Sequence, residues 1–213
     1  MKEIYSATNF SKPSKEEIIN QAFKYHSQGN IAEAANYYQL FIKQGFEDHR
    51  VFSNYGSILK SLGKLQEAER CQRKAIELNP GFVDAHYNLG NILIDLGKSK
   101  EAELSLRKVI ELNPNLANAH YNLGNILIDL GNLQEAELST RKAIELNPNF
   151  ANAYYTLGNI LKNLGNLQEA ENSFRKAIAL NPDFAEAHLN LGTVLISLGN
   201  LQEAELSHRK AIE

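Results

Sequence analysis

Apolar residues recur along the chain at helical spacing, in two alternating stripes. The first stripe steps by three and four residues, which is the period of one face of an α-helix; in one stretch it consists of Ala85, Leu89, Ile92 and Leu96. The second stripe follows Gly97 and consists of Ala102, Leu106, Val109, Ile110 and Leu112. Glycine is a common helix end, and the proline of Asn113-Pro114 disfavours helical geometry in the residue before it. The pattern therefore predicts two short amphipathic helices, A and B, in this stretch.

The whole pattern returns every 34 residues. The segment DAHYNLGNILIDLG at 84–97 is repeated as NAHYNLGNILIDLG at 118–131, and weaker copies begin at residues 16, 50, 152 and 186. A fixed period of this length predicts a solenoid, because one helix pair cannot bury the apolar faces of both its helices alone. We predict a flexible leader at 1–14 and then units at 15–48, 49–82, 83–116, 117–150, 151–184 and an incomplete 185–213.

Small residues recur at fixed positions within the units. Glycine in a helix interior costs about 1 kcal/mol relative to alanine, so its repeated use predicts a close approach by helix B of the same unit. The glycines are Gly56, Gly90, Gly124, Gly158 and Gly192, and the matching small residues of helix B are Ala68, Ala102, Ala136, Ala170 and Ala204.

These positions resemble the pattern of the tetratricopeptide repeat family. That pattern has bulky residues at repeat positions 4, 11 and 24, Leu-Gly at 7 and 8, alanine at 20 and 27 and proline at 32; the fourth unit supplies His120, Leu123, Gly124, Leu127, Ala136, Thr140, Ala143 and Pro148. The first unit departs most, with Ala22 for the glycine and Phe46 for the proline, and we interpret it as an N-terminal cap. The resemblance implies an all-α, right-handed α-solenoid whose A helices line a concave groove. It also implies a protein-interaction scaffold.

Asparagines recur on the side of helix A that faces the groove in this family. They are Asn54, Asn88, Asn122 and Asn190 at repeat position 6, and Asn91, Asn125 and Asn159 at position 9. An asparagine amide offers an acceptor and two donors, which match the N–H and C=O of a peptide unit. The row resembles the asparagine ladder of O-GlcNAc transferase, which implies that an extended peptide is held by its backbone. The alternative is that duplication copied a tolerated exposed asparagine.

Tyrosines and aspartates share this side of helix A. Tyr87, Tyr121 and Tyr155 occupy position 5 and are candidate anchors for a peptide, since aromatic residues are enriched at interfaces; alternatively they pack between neighbouring A helices. Asp95 and Asp129 make the middle of the stripe mildly acidic, so we predict an internal, neutral to basic segment as ligand. The basic residues with which some family members hold a C-terminal carboxylate are absent from the central units.

Composition narrows the function further. A formal net charge of −3 argues against nucleic acid as the main partner. The stretch MKEIYSATNF lacks the apolar core expected of a signal peptide, and no apolar run approaches membrane-spanning length. We therefore predict a cytoplasmic protein that uses no membrane. The recurring histidines lie on successive helix pairs rather than one turn apart, and Cys71 has no histidine partner, so we predict no metal, no cofactor and no enzymatic activity.

The sequence leaves three functional hypotheses open. The first is a scaffold that binds an extended peptide of a partner protein in the groove. The second is the substrate-recruiting arm of a larger enzyme, such as a glycosyltransferase, because the sequence ends at Glu213 inside a predicted helix B. The third is a self-assembling array with head-to-tail contacts through the uncapped C-terminal end.

Overall fold

The structure, a computed structural model, describes residues 13–212, so the predicted leader lies outside the described residues except for Pro13 and Ser14. Within this range the fold is all-α, an α-solenoid of antiparallel helix pairs without a strand. The helices are α1 (Lys15–Ser27), α2 (Ile31–Lys43), α3 (His49–Ser61), α4 (Leu65–Leu78), α5 (Val83–Asp95), α6 (Ser99–Leu112), α7 (Ala117–Asp129), α8 (Leu133–Leu146), α9 (Ala151–Asn163), α10 (Leu167–Leu180), α11 (Ala185–Ser197) and α12 (Leu201–Lys210).

The ends of the helices follow from local sequence. Gly97 adopts φ 70°, which lets its N–H bond Ile94 O at 2.9 Å and the Lys98 N–H bond Leu93 O at 2.8 Å. This pair of bonds satisfies carbonyls that the end of α5 would otherwise leave unpaired. Asn113, before Pro114, adopts φ −142° and ψ 88° and ends α6, as its place before the proline predicts. The odd-numbered helices are the predicted A helices and the even-numbered ones the B helices.

The chain forms two compact bodies, Met1–Ala85 and His86–Glu213. In the first, α1, α2 and α3 contribute to a core that includes Ile18, Tyr38, Phe41 and Val51, all fully buried. Its first helix begins with a capping box, because the Glu17 N–H bonds Ser14 Oγ at 3.2 Å and the Ser14 N–H bonds Glu17 Oε2 at 2.7 Å.

The second body stacks α6 to α12 and most of α5. Within this body, α7, α9 and α11 each pack against the B helix that follows and the B helix that precedes, for example α9 against α10 and α8. At one end of the body, Leu157, Phe174, Leu191 and Leu195 form a common core. Helices from neighbouring units therefore complete one another's apolar surface, as the stripes predict.

The repeated glycines face the side chain at repeat position 24 of helix B in the same unit. A Cβ built on Gly158 would lie 2.6 Å from Phe174 Cε1, and one on Gly124 would lie 2.5 Å from Thr140 Oγ1. Phe174 and Thr140 are both fully buried. The close approach predicted from the glycines is thus confirmed, and the space that they leave is filled by side chains as different as threonine and phenylalanine.

Arginines on the B helices join successive units. Arg141 bonds Glu137 of its own helix at 2.8 Å, as the spacing of four residues predicts, and also Glu169 of α10 at 2.7 Å. Arg107 and Arg175 repeat the second contact with Glu135 and Glu203, at 2.6 Å each. The spacing of charges within one unit does not predict these bridges between helices. None of the described helices is both long and apolar enough to cross a membrane.

Candidate peptide-binding surface

We use the term A-helix stripe for the side chains at repeat positions 2, 5, 6, 9, 12 and 13 of α5, α7, α9 and α11, counted within residues 86–212. Asparagine side chains in this stripe connect successive A helices. Asn122 Nδ2 donates to Asn91 Oδ1 at 2.8 Å and lies 3.4 Å from the Tyr87 hydroxyl. All three side chains are half-buried. Asn122, at position 6 of its unit, therefore connects α7 to two side chains of α5, Asn91 at position 9 and Tyr87 at position 5.

The next step of the stripe is different because threonine replaces asparagine at position 6. Thr156 Oγ1 donates to Asn125 Oδ1 at 3.4 Å, and Thr156 is 6% exposed. The shorter side chain leaves the Tyr121 hydroxyl without a hydrogen bond among the described residues.

At the third step a lysine enters the stripe. Asn190 Nδ2 donates to the Tyr155 hydroxyl at 3.1 Å, and Asn190 Oδ1 accepts from Lys162 Nζ at 2.7 Å. Asn190 is thus held from both ends of its amide. Asn159, the counterpart of Asn91, makes no side-chain hydrogen bond within residues 13–212.

These connections leave a regular set of unused polar groups. Within the described part of the chain, Asn122 Oδ1 and the Nδ2 groups of Asn91 and Asn125 make no hydrogen bond. Each amide is held in a fixed orientation by its other end and keeps its unused oxygen or NH2 group for a ligand. Donors and acceptors held in this way are what an extended peptide backbone requires.

Two tyrosines of the stripe pack on the phenylalanine that closes their own unit. The rings of Tyr121 and Phe150 are 4.7 Å apart, and those of Tyr155 and Phe184 are 4.8 Å apart. Both tyrosines are half-buried, so each keeps part of its surface open. This packing differs from the alternative considered above, in which the rings would contact each other between A helices. Asp95 and Asp129 are exposed at the C-terminal ends of α5 and α7.

Asn54 lies in the first body and has a different role. Its Nδ2 donates to the hydroxyl of the fully buried Tyr38 at 3.2 Å, and His26 Nδ1 lies 2.9 Å from the same oxygen. Burial also raises the pKa of the Tyr38 phenol. The amide of Asn54 therefore supports the core of the helix pair α1 and α2. Asn88, at the equivalent position of α5, is half-buried.

A cleft of about 570 Å³ opens beside Asn54. Its walls include Phe23, Tyr38 and Phe82, and the guanidinium of Arg50 lies 5.2 Å from the centre of the Phe23 ring. Arg50 is fixed there by Asp48, whose Oδ2 is 2.8 Å from Arg50 Nη2. Aromatic walls of this kind suit one large apolar side chain of a ligand.

One model of the tetratricopeptide repeat matches residues 117–150 and again 151–184. Another tetratricopeptide repeat model matches residues 173–205. A model of the middle TPR-like domain of cilia and flagella-associated protein 70 matches 20–120. The chain is a tetratricopeptide repeat array. A search of curated protein sequences gives no significant match.

Solved tetratricopeptide repeat structures resemble this array. The crystal structure of MamA is 29% identical with a TM-score of 0.71, covering 74% of this chain and 92% of that one. The structure of YrrB, described as a TPR protein with an unusual peptide-binding site, is 29% identical with a TM-score of 0.73, covering 84% of this chain and 92% of YrrB. A tetratricopeptide repeat protein from Parabacteroides merdae shares the fold at 22% identity, with a TM-score of 0.76 over 93% of this chain and 78% of its own.

Two of the recurring histidines contact the loop before their own helix. His120 Nε2 lies 2.9 Å from Pro114 O, and His188 Nε2 lies 2.9 Å from Pro182 O, so each ring is fixed to the turn before its helix. Within residues 13–212 no group of three His, Cys, Asp or Glu side chains is placed to hold a metal ion. Burial raises the pKa of the Cys71 thiol to about 11, which keeps it protonated and unreactive at neutral pH.

Two side chains that matter in the stripe were not predicted from the sequence. Thr156 and Lys162 were not among the candidate residues, although both interrupt a regular row: asparagine at position 6 and isoleucine at position 12. These interruptions were visible in the sequence. The partners of the tyrosines, Phe150 and Phe184, could not be inferred because they lie in a loop 29 residues further along the chain.

Proposed function

We propose that this array is a protein-interaction scaffold that binds an extended peptide segment of a partner along the A-helix stripe. The observation that carries the proposal is the hydrogen bond from Asn122 Nδ2 to Asn91 Oδ1. It fixes both amides and leaves an acceptor on Asn122 and a donor on Asn91, so a peptide backbone meets groups that are already oriented. Pre-orientation reduces the entropy lost on binding.

The half-buried tyrosines and the exposed aspartates of the stripe add selectivity to this backbone contact. Tyr121 and Tyr155 are rigid because each ring packs on a phenylalanine, and rigid aromatic surfaces are efficient contacts at interfaces. Asp95 and Asp129 favour a ligand with basic residues near them. The peptide-binding site described for the similar protein YrrB supports the same class of function.

Peptide selection tests this proposal. Random peptides displayed on phage would be selected on the purified array and then measured by fluorescence anisotropy against the double variant Asn91→Ala, Asn125→Ala. Both asparagines have an unused Nδ2, so the variant removes two free NH2 groups and, at each site, the one hydrogen bond that the amide oxygen accepts. Since a hydrogen bond contributes about 0.5–1.5 kcal/mol net, we expect binding to weaken about fivefold to a hundredfold.

The matched control is Asn172→Ala, which removes an exposed asparagine from α10, a B helix. It should leave peptide affinity unchanged, and circular dichroism should show that all variants remain folded. Equal affinity of the double variant and the parent array would overturn the proposal.

A further inference from the structure

Lys162 is the one cation of the A-helix stripe within residues 86–212, where the other charged side chains are Asp95, Asp129 and Glu186. It is half-buried, and its ammonium group bonds the neutral amide oxygen of Asn190 at 2.7 Å. Among the described residues no carboxylate oxygen lies within 4.0 Å of Lys162 Nζ. The charge is therefore held in the stripe without an opposite charge beside it.

Other half-buried lysines of the same body are paired with carboxylates. Lys108 bonds Glu111 at 2.7 Å, and Lys142 bonds Glu145 at 2.8 Å. A partly buried cation loses hydration, and a neutral amide compensates for that loss less well than a carboxylate does. An ammonium group also has three donors, and Asn190 uses one of them. Lys162 thus retains two donors and its charge for an anion that arrives from outside.

Asn190 holds Lys162 in place for this role. Its amide bridges Lys162 and the Tyr155 hydroxyl, which itself belongs to a ring packed on Phe184. A lysine side chain normally loses considerable rotamer entropy when it binds a ligand. Because Lys162 is already ordered by this chain of contacts, less of that entropy remains to be lost.

We infer that Lys162 binds a carboxylate side chain, aspartate or glutamate, of the peptide that occupies the stripe. This inference rests on the proposed function and names the chemistry of its ligand. The peptide is of mixed charge: an acidic residue lies at Lys162, and basic residues lie towards Asp129 and Asp95. A neutral to basic segment without an acidic residue, which the aspartates alone predict, leaves Lys162 uncompensated.

The repeat supplies a matched variant for the test. Isoleucine occupies the position of Lys162 in the neighbouring A helices, as Ile128 and Ile196, so Lys162→Ile introduces a residue that this position accommodates. Random peptides would be selected on the parent array and on the Lys162→Ile array. We expect enrichment of aspartate and glutamate on the parent alone. A selected acidic peptide should bind Lys162→Ile about tenfold more weakly, and this difference should shrink in high salt.

Two further measurements separate the possible failures. Replacing the acidic residue of the selected peptide by its amide should weaken binding to the parent and leave binding to Lys162→Ile unchanged. Ile94→Lys in the Lys162→Ile background should restore the preference for acidic peptides, because Asn122 follows Ile94 by the same 28 residues as Asn190 follows Lys162. Peptides that depend on Asn91 and Asn125 but show no acidic preference would overturn the role of Lys162 and leave the proposed function intact. Peptides that bind independently of these asparagines would overturn both.

Discussion

At the scale of single residues, the contact between repeat positions 8 and 24 sets how closely the two helices of a unit approach. Gly158 lies against the ring of Phe174, whereas Gly90 lies against Leu106, where an added Cβ would be 3.2 Å from the leucine side chain. Both partners are fully buried. Glycine is therefore found here despite its low helix propensity, because a methyl group at this point would be too close to a core side chain.

We predict that Gly158→Ala destabilises the array, although alanine gains about 1 kcal/mol of helix propensity over glycine. The new Cβ would lie 2.6 Å from a rigid buried ring, and overpacking of this kind costs about 1–3 kcal/mol. Urea unfolding followed by circular dichroism measures the change. Gly158→Ala should cost less in a Phe174→Leu background, because a Cβ on the equivalent Gly90 would lie 3.2 Å from Leu106 instead of 2.6 Å from the ring. An equal cost of Gly158→Ala in the two backgrounds would contradict this account.

At the scale of helices, the two sides of the array are joined by different chemistry. The A helices are connected by half-buried amides and hydroxyls, as between Asn122 and Asn91. The B helices are connected by exposed ion pairs, as between Arg141 and Glu169, whose side chains are 44% and 59% exposed. Exposed pairs contribute little because water and salt screen them, so apolar packing between helices dominates on the B side.

Arg141→Gln should therefore lower the free energy of unfolding by less than about 1 kcal/mol, and the loss should be smaller in 1 M NaCl. Lys142→Gln is the control, because Lys142 pairs only with Glu145 of its own helix. Chemical unfolding at low and high salt measures both variants. A loss greater than about 2 kcal/mol for Arg141→Gln would show that the bridges between B helices organise the stack.

At the scale of the whole molecule, each body is built from contacts between neighbouring helices. In the second body, α7 contacts α6 and α8, and α11 contacts α10 and α12. In such arrays stability is a sum of unit and neighbour terms, so the position of a defect decides how far it spreads.

Leu127→Ala and Leu195→Ala test this dependence on position. Both leucines occupy repeat position 11, both are at most 1% exposed, and each substitution should cost about 2–5 kcal/mol locally. Hydrogen exchange should rise around α11 and α12 alone for Leu195→Ala. For Leu127→Ala it should rise across residues 86–212, because the defect separates the helices on either side. Identical exchange patterns would mean that the body unfolds as a single cooperative unit.

The sequence was sufficient to predict the fold because its information is repeated. Six copies of one helical pattern predict which segments are A helices and which are B helices. Residues such as Gly97 and Asn113-Pro114 mark where these helices end. The same repetition gave little indication of the irregular positions in the A-helix stripe. Thr156 and Lys162 are departures from a repeated row, and a description based on what the units share gives such departures little weight.

The solenoid of paired helices thus follows from the amino-acid sequence, because period, glycine positions and helix ends are local properties of the chain. The contacts of the polar residues follow from how the units stack. Asn122 and Asn91 are 31 residues apart in the chain and share a hydrogen bond, and Asn190 is held between Lys162 and Tyr155. These partners meet because successive units stack, and the side-chain geometry of that stacking is not encoded in the spacing of any single unit.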